Sequence, residues 1–86
     1  MAMNFDDIDF KGGRCRYVEP LGEDMIEVCY PNGFMIDAGY LEESGTFYIN
    51  VIKNNDWVNI YKELPAKTEI ELKNTLRYAI DYVTHQ

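Results

Sequence analysis

The sequence predicts an α+β fold: a five-stranded antiparallel meander, β-β-β-β-β-α, with one C-terminal helix packed across one face of the sheet. Three observations predict it. Residues 14–62 alternate apolar and polar side chains in short runs divided by turn signals, the period of a half-buried strand. After Pro65 the period lengthens to that of a helix. Finally, separate choices of hairpin register converge on one apolar sheet face, as a self-consistent fold requires.

The elements follow in chain order. Residues 1–13 hold three acids, Asp6, Asp7 and Asp9, with scattered apolar side chains. They read as a flexible acidic N-terminal arm hinged at Gly12-Gly13. Residues 14–86 form a single α+β domain, because 86 residues support one hydrophobic core and no linker divides them. Strands are expected over 14–20, 24–30, 34–40, 46–53 and 57–62, broken at 21–23, 31–33, 41–45 and 54–55. Loops this short favour hairpins. The loop Pro31-Asn32-Gly33 sets Tyr30 opposite Phe34, Val28 opposite Ile36 and Ile26 opposite Ala38. A type I′ turn at Asn54-Asn55 pairs Val51 with Val58 and Ile49 with Ile60, and a three-residue loop pairs Val18 with Ile26. Pro65 is read as the stop of the last strand. Thr68-Glu69-Ile70-Glu71 is a capping box, and Leu72, Leu76, Ala79, Ile80 and Val83 form the apolar stripe of a helix of about four turns.

The opposite sheet face is then expected to carry Cys15, Tyr17, Glu19, Met25, Glu27, Cys29, Met35, Asp37, Tyr48, Asn50, Ile52, Trp57, Asn59 and Tyr61. On the last hairpin this register pairs Ile52 with Trp57, Asn50 with Asn59 and Tyr48 with Tyr61. Amphipathic rings flanking amides suit a recognition surface, since Trp and Tyr bring contact area at small entropic cost. The same rings also stabilise an open sheet, and Phe5, Ile8 and Phe10 of the arm are candidates to fold over them. Glu27 faces Asp37, an unfavourable like-charge pair suited to a cation or a partner's arginine. Cys15 and Cys29 fall opposite each other, within reach of a cross-strand disulfide if oxidised; reduced thiols are the default.

Composition narrows the function. Fifteen acids oppose eight basic residues, a net charge of -7, which argues against nucleic acid and for a protein partner, a basic one being favoured, or simply for solubility. No apolar run is long enough to cross a membrane, the N-terminus lacks a leader pattern, and two cysteines suit a reducing cytoplasm. No nucleophile elbow, P-loop, zinc-protease or dinucleotide motif occurs, and His85 stands beside the last residue. The sequence thus points away from an enzyme, with no catalytic, cofactor-binding or metal-binding residues. The leading reading is a small acidic protein-interaction module (adaptor, inhibitor or regulatory subunit). It binds a partner or itself, as a homodimer, through Tyr48, Asn50, Ile52, Trp57, Asn59 and Tyr61, with Glu27 and Asp37 at the rim. The alternatives are base stacking of a single-stranded nucleic acid on the sheet aromatics, or an acidic surface that mimics DNA. The order of a strand meander and one helix resembles that of the coactivator-type single-stranded-DNA-binding domains, from which charge and strand count depart.

Overall fold

The period-two run folds into one antiparallel sheet whose spatial order is the order of the chain, β1-β2-β3-β4-β5. This computed structural model describes residues 5–16 and 24–86. The strands are β1 (Arg14–Arg16), β2 (Asp24–Cys29), β3 (Phe34–Leu41), β4 (Thr46–Lys53) and β5 (Lys62–Ala66), followed by the helix α1 (Glu69–Thr84). The expected α+β architecture is the observed one.

The β2–β3 hairpin forms in the predicted register, with Val28 opposite Ile36 and Ile26 opposite Ala38. Tyr30 N–H donates to the Phe34 carbonyl at 2.9 Å, which closes the loop over Pro31-Asn32-Gly33. Gly33 sits there at φ 90°, where a side chain is strained. On β4, Ile49 and Val51 continue the same apolar face. Helix α1 covers that face with Leu72, Leu76, Ala79, Ile80 and Val83, all buried. Burying each large aliphatic side chain contributes roughly 1.5–3 kcal/mol. Thr68 caps the helix by accepting from Glu71 N–H at 3.1 Å, and its hydroxyl donates to the Glu71 carboxylate at 3.4 Å. Glu69 and Glu71 occupy the first turn, where the helix dipole favours them.

Four expectations are corrected. The last strand is 62–66, not 57–62: Ile49 lies opposite Leu64, Val51 opposite Lys62 and Phe47 opposite Ala66. Leu64 thereby takes the place expected for Ile60, and Lys62 that expected for Val58. Pro65 does not stop the strand but lies inside it, opposite Tyr48. β5 is an edge of the sheet, where a missing amide hydrogen is tolerated. The β1–β2 register is shifted by one residue, so Cys15 lies opposite Val28 and Arg14 opposite Cys29. Cys15 and Cys29 therefore project to opposite faces and are both free thiols. A register irregularity between Asp24 and Ile26 turns Met25 into the core rather than to the outer face. The expected strand residues 17–20 and the loop 21–23 lie outside the described residues.

From Phe5 onward the N-terminal segment packs along the helix. Phe5 and Ile8 belong to the main core, beneath α1 and not over the outer sheet face, and Phe10 packs against it. Asp7 pairs with Lys73 at 2.8 Å and with Arg77 at 3.2 Å, and Lys11 pairs with Asp81. The Tyr30 hydroxyl donates to the Phe10 carbonyl at 2.7 Å.

Candidate interaction surface

The residues proposed as a site divide into two groups. Glu27, Asp37 and Asn50 form one cross-strand row on the outer sheet face, continued by Glu63 on β5 and Arg16 on β1. The expected opposition of Glu27 and Asp37 is therefore present. Arg16 approaches Glu27 at 3.4 Å, which offsets part of the like-charge repulsion. Asp37 is 6% exposed, so this row is more enclosed than a solvated rim. Tyr48 lies on the same face, opposite Gly39 and Pro65, and Ile52 lies opposite Met35 and is fully buried. A buried Ile52 offers no contact surface.

The second group leaves the sheet. Trp57 and Asn59 belong to the loop 54–61, so the pairs Ile52–Trp57, Asn50–Asn59 and Tyr48–Tyr61 do not form. Asn54 and Asn55 take the left-handed torsions that a type I′ turn needs, at φ 53° and 60°. The chain beyond does not return along β4, because Asp56 captures it. Asp56 Oδ1 accepts from Val58 N–H at 3.2 Å and from Asn59 N–H at 3.1 Å, and Oδ2 accepts from Asn59 Nδ2 at 3.3 Å. These bonds, those from Asn59 foremost, hold the Asp56 carboxyl below the usual range. Trp57 Nε1 donates to Asn55 Oδ1 at 3.0 Å. The loop is thus bonded internally while Trp57 is 45% and Val58 90% exposed.

Tyr61 rejoins the sheet on the helix side, not the outer side. Its N–H donates to the Val51 carbonyl at 3.0 Å. Its ring meets Phe34 edge-on at 5.2 Å, and its hydroxyl lies 3.2 Å from that of Tyr82. The Tyr61 hydroxyl pushes the Tyr82 phenol above its ordinary pKa. Tyr82 in turn stacks on Tyr78 at 6.5 Å between centroids. Lys53 lies over Phe34 and Tyr61, and Lys62 over Tyr82. Tyr78 and Tyr82 are not among the residues expected at the site. Their i, i+4 spacing on the helix flank was the available signal; their partner Tyr61 required knowing where β5 begins.

Chemically, this rim offers aromatic and apolar contact area with two lysines over its rings. Among the described residues no three His, Cys, Asp or Glu side chains gather as metal ligands. No described helix is long and apolar enough to cross a membrane. The chain matches no family model, no curated protein and no solved structure.

Proposed function

We propose that the chain is a non-catalytic protein-interaction module that docks a partner on the rim formed by the loop 54–61 and the Tyr78–Tyr82 flank of α1. The observation that carries this reading is the Asp56-bonded loop that holds Trp57 and Val58 in solvent. An isolated exposed apolar residue is ordinary, but Trp57, Val58, Tyr61 and Tyr78 come from one loop and the helix edge beside it. Loop hydrogen bonds and ring contacts lower the entropy lost on docking. At the rim Lys53 and Lys62 lie over aromatic rings, and the Asp56 carboxylate is engaged by the loop amides. Contact energy therefore comes from apolar and aromatic area, while the net charge of -7 favours encounter with a basic partner.

Tyr48 is the one aromatic on the outer face of the described strands, which leaves base stacking there with little support. The test is a comparison of proteins retained by the wild-type chain and by a Trp57→Ala/Val58→Ser variant, followed by affinity measurement with the purified interactor. The expected result is a loss of about tenfold or more in affinity, as for a hot spot. Val58 is almost wholly exposed and Trp57 about half exposed with one side-chain bond to Asn55, so folding stability should fall by only about 1 kcal/mol. Unchanged affinity would remove the rim from the interface. Light scattering of the wild-type chain at increasing concentration tests self-association through the same surface.

A further inference from the structure

The sheet edge opposite β5 carries a different kind of surface. A shallow cleft there is lined by Gly12, Arg14, Arg16, Cys29, Tyr30 and Pro31. Its charge is unusual for this molecule. Of the described basic side chains, Lys11, Lys73 and Arg77 pair with Asp81 or Asp7, Lys53 and Lys62 lie over aromatic rings, and Lys67 is a single exposed charge just after β5, at the opposite edge of the sheet. Arg16 meets Glu27 at 3.4 Å and remains 64% exposed. Arg14, also exposed, has no carboxylate partner among the described residues.

The one-residue shift of β1 creates this arrangement. It places Arg14 and Arg16 opposite Cys29 and Glu27, so both project from the same face of β1. Residues two apart on a strand stand about 7 Å apart, close enough for two guanidiniums to share one tetrahedral oxyanion. The geometry points to a phosphoryl-binding site, with Arg14 and Arg16 as its ligands and Gly12, Tyr30 and Pro31 as its wall. A phosphoryl dianion matches two neighbouring guanidiniums in charge and in hydrogen-bond geometry. A divalent cation is disfavoured by the same two charges. The Glu27 contact does not block the site, because at 3.4 Å it is long for a charge-assisted hydrogen bond and, although Glu27 is 18% exposed, the Arg16 side chain is 64% exposed. The phosphoryl group is either free phosphate or a phosphorylated side chain of a partner.

Titrating the full isotope-labelled chain with sodium phosphate at constant ionic strength, followed by amide chemical shifts, tests the site. Saturable shifts at Gly12, Arg14, Arg16 and Cys29 are expected at about pH 7.5, where phosphate is mostly dianionic, with weaker binding at about pH 5.5. An Arg14→Gln/Arg16→Gln variant, which changes only exposed side chains, should bind at least about tenfold more weakly. Shifts that never saturate, that persist in the variant, or that centre on Lys53 and Lys62 would overturn the proposal. A phosphoserine peptide and inorganic phosphate then separate the sources. Peptide binding tighter by about tenfold or more assigns the site to a phosphorylated partner, and equal affinity assigns it to the free anion.

Discussion

Replacing Phe5 by Ala tests whether the N-terminal segment is part of the core. Phe5 is 2% exposed and packs in the cluster that includes Ile26, Ile36, Leu76 and Ile80. Phe→Ala in a packed interior costs about 3–5 kcal/mol, the smaller value where neighbours collapse into the space. Phe5 lies near the chain end, so the lower value, about 3 kcal/mol, is expected. A chain of this size has a total stability of about 4–13 kcal/mol, and the loss corresponds to a fall in Tm of roughly 12–24 °C. Urea unfolding followed by helical circular dichroism reads it, with the midpoint lowered and the denaturant slope little changed. Ile8→Ala should cost about 2 kcal/mol. The double variant should fall short of the sum, because Ile8 N–H donates to the Phe5 carbonyl at 3.1 Å and the two side chains enter the core as one turn. A Phe5→Ala loss below about 0.5 kcal/mol, the scale of an ordinary surface substitution, would refute the packing and return residues 5–13 to the status of an unanchored arm.

Three other outcomes follow from the same contacts. The Lys73 and Lys11 side chains hold Asp7 and Asp81 below the ordinary carboxyl value of 3.8, so the stability they confer is present above that pH and is lost as pH falls below it. An acid titration monitored at the Ile8 methyl group should show the segment loosening below pH 3.8, and Asp7→Asn should weaken that dependence. Burial pushes the Tyr30 phenol up to about 12, so stability is full below pH 10, the ordinary phenol value, and falls as pH rises from 10 towards about 12. Tyr30→Phe should abolish that alkaline loss and cost about 1 kcal/mol at neutral pH through the lost bond to Phe10. A Cβ added at Gly13 would lie 2.6 Å from Val28 Cγ1 and from the Tyr30 ring, so Gly13→Ala should cost about 1–3 kcal/mol. Gly12 has open space at φ 87°, so Gly12→Ala should cost only the left-handed strain, about 1 kcal/mol; equal losses in thermal melts would contradict the close approach at Gly13.

The β2–β3 hairpin was legible because local and long-range signals agree there. Gly33 suits the turn, and a slip by one residue would have set Val28 against Asp37. The helix was legible for a similar reason, its cap and its apolar stripe both marking the same segment. At the last hairpin the signals conflict. Asn54-Asn55 has the torsions of a tight turn, and Trp57 to Lys62 alternates as a strand would. What alternation omits is the competing use of backbone amides by a neighbouring side chain. Asp56 takes the Val58 and Asn59 N–H groups, and an amide held by a carboxylate is withheld from a ladder. β5 begins only beyond the reach of that bond.

The candidate surface was only partly legible for the same reason. Glu27, Asp37 and Asn50 were placed on one face by strand parity alone, and they remain in one row. Trp57, Asn59 and Tyr61 depended on pairings that Asp56 prevents. The consequence reaches function. Had residues 57–62 paired with β4, Trp57 and Tyr61 would have been spread over the sheet; instead Trp57 stands in solvent and Tyr61 joins Tyr82 on the helix. The carboxylate that ends the predicted pairing is thus what assembles the exposed rim. Asp56 therefore couples local fold to binding: Asp56→Ala should loosen the loop and weaken partner affinity without altering any contacting side chain, whereas Asp56→Asn, which keeps one acceptor oxygen for the Val58 and Asn59 amides, should retain most of it.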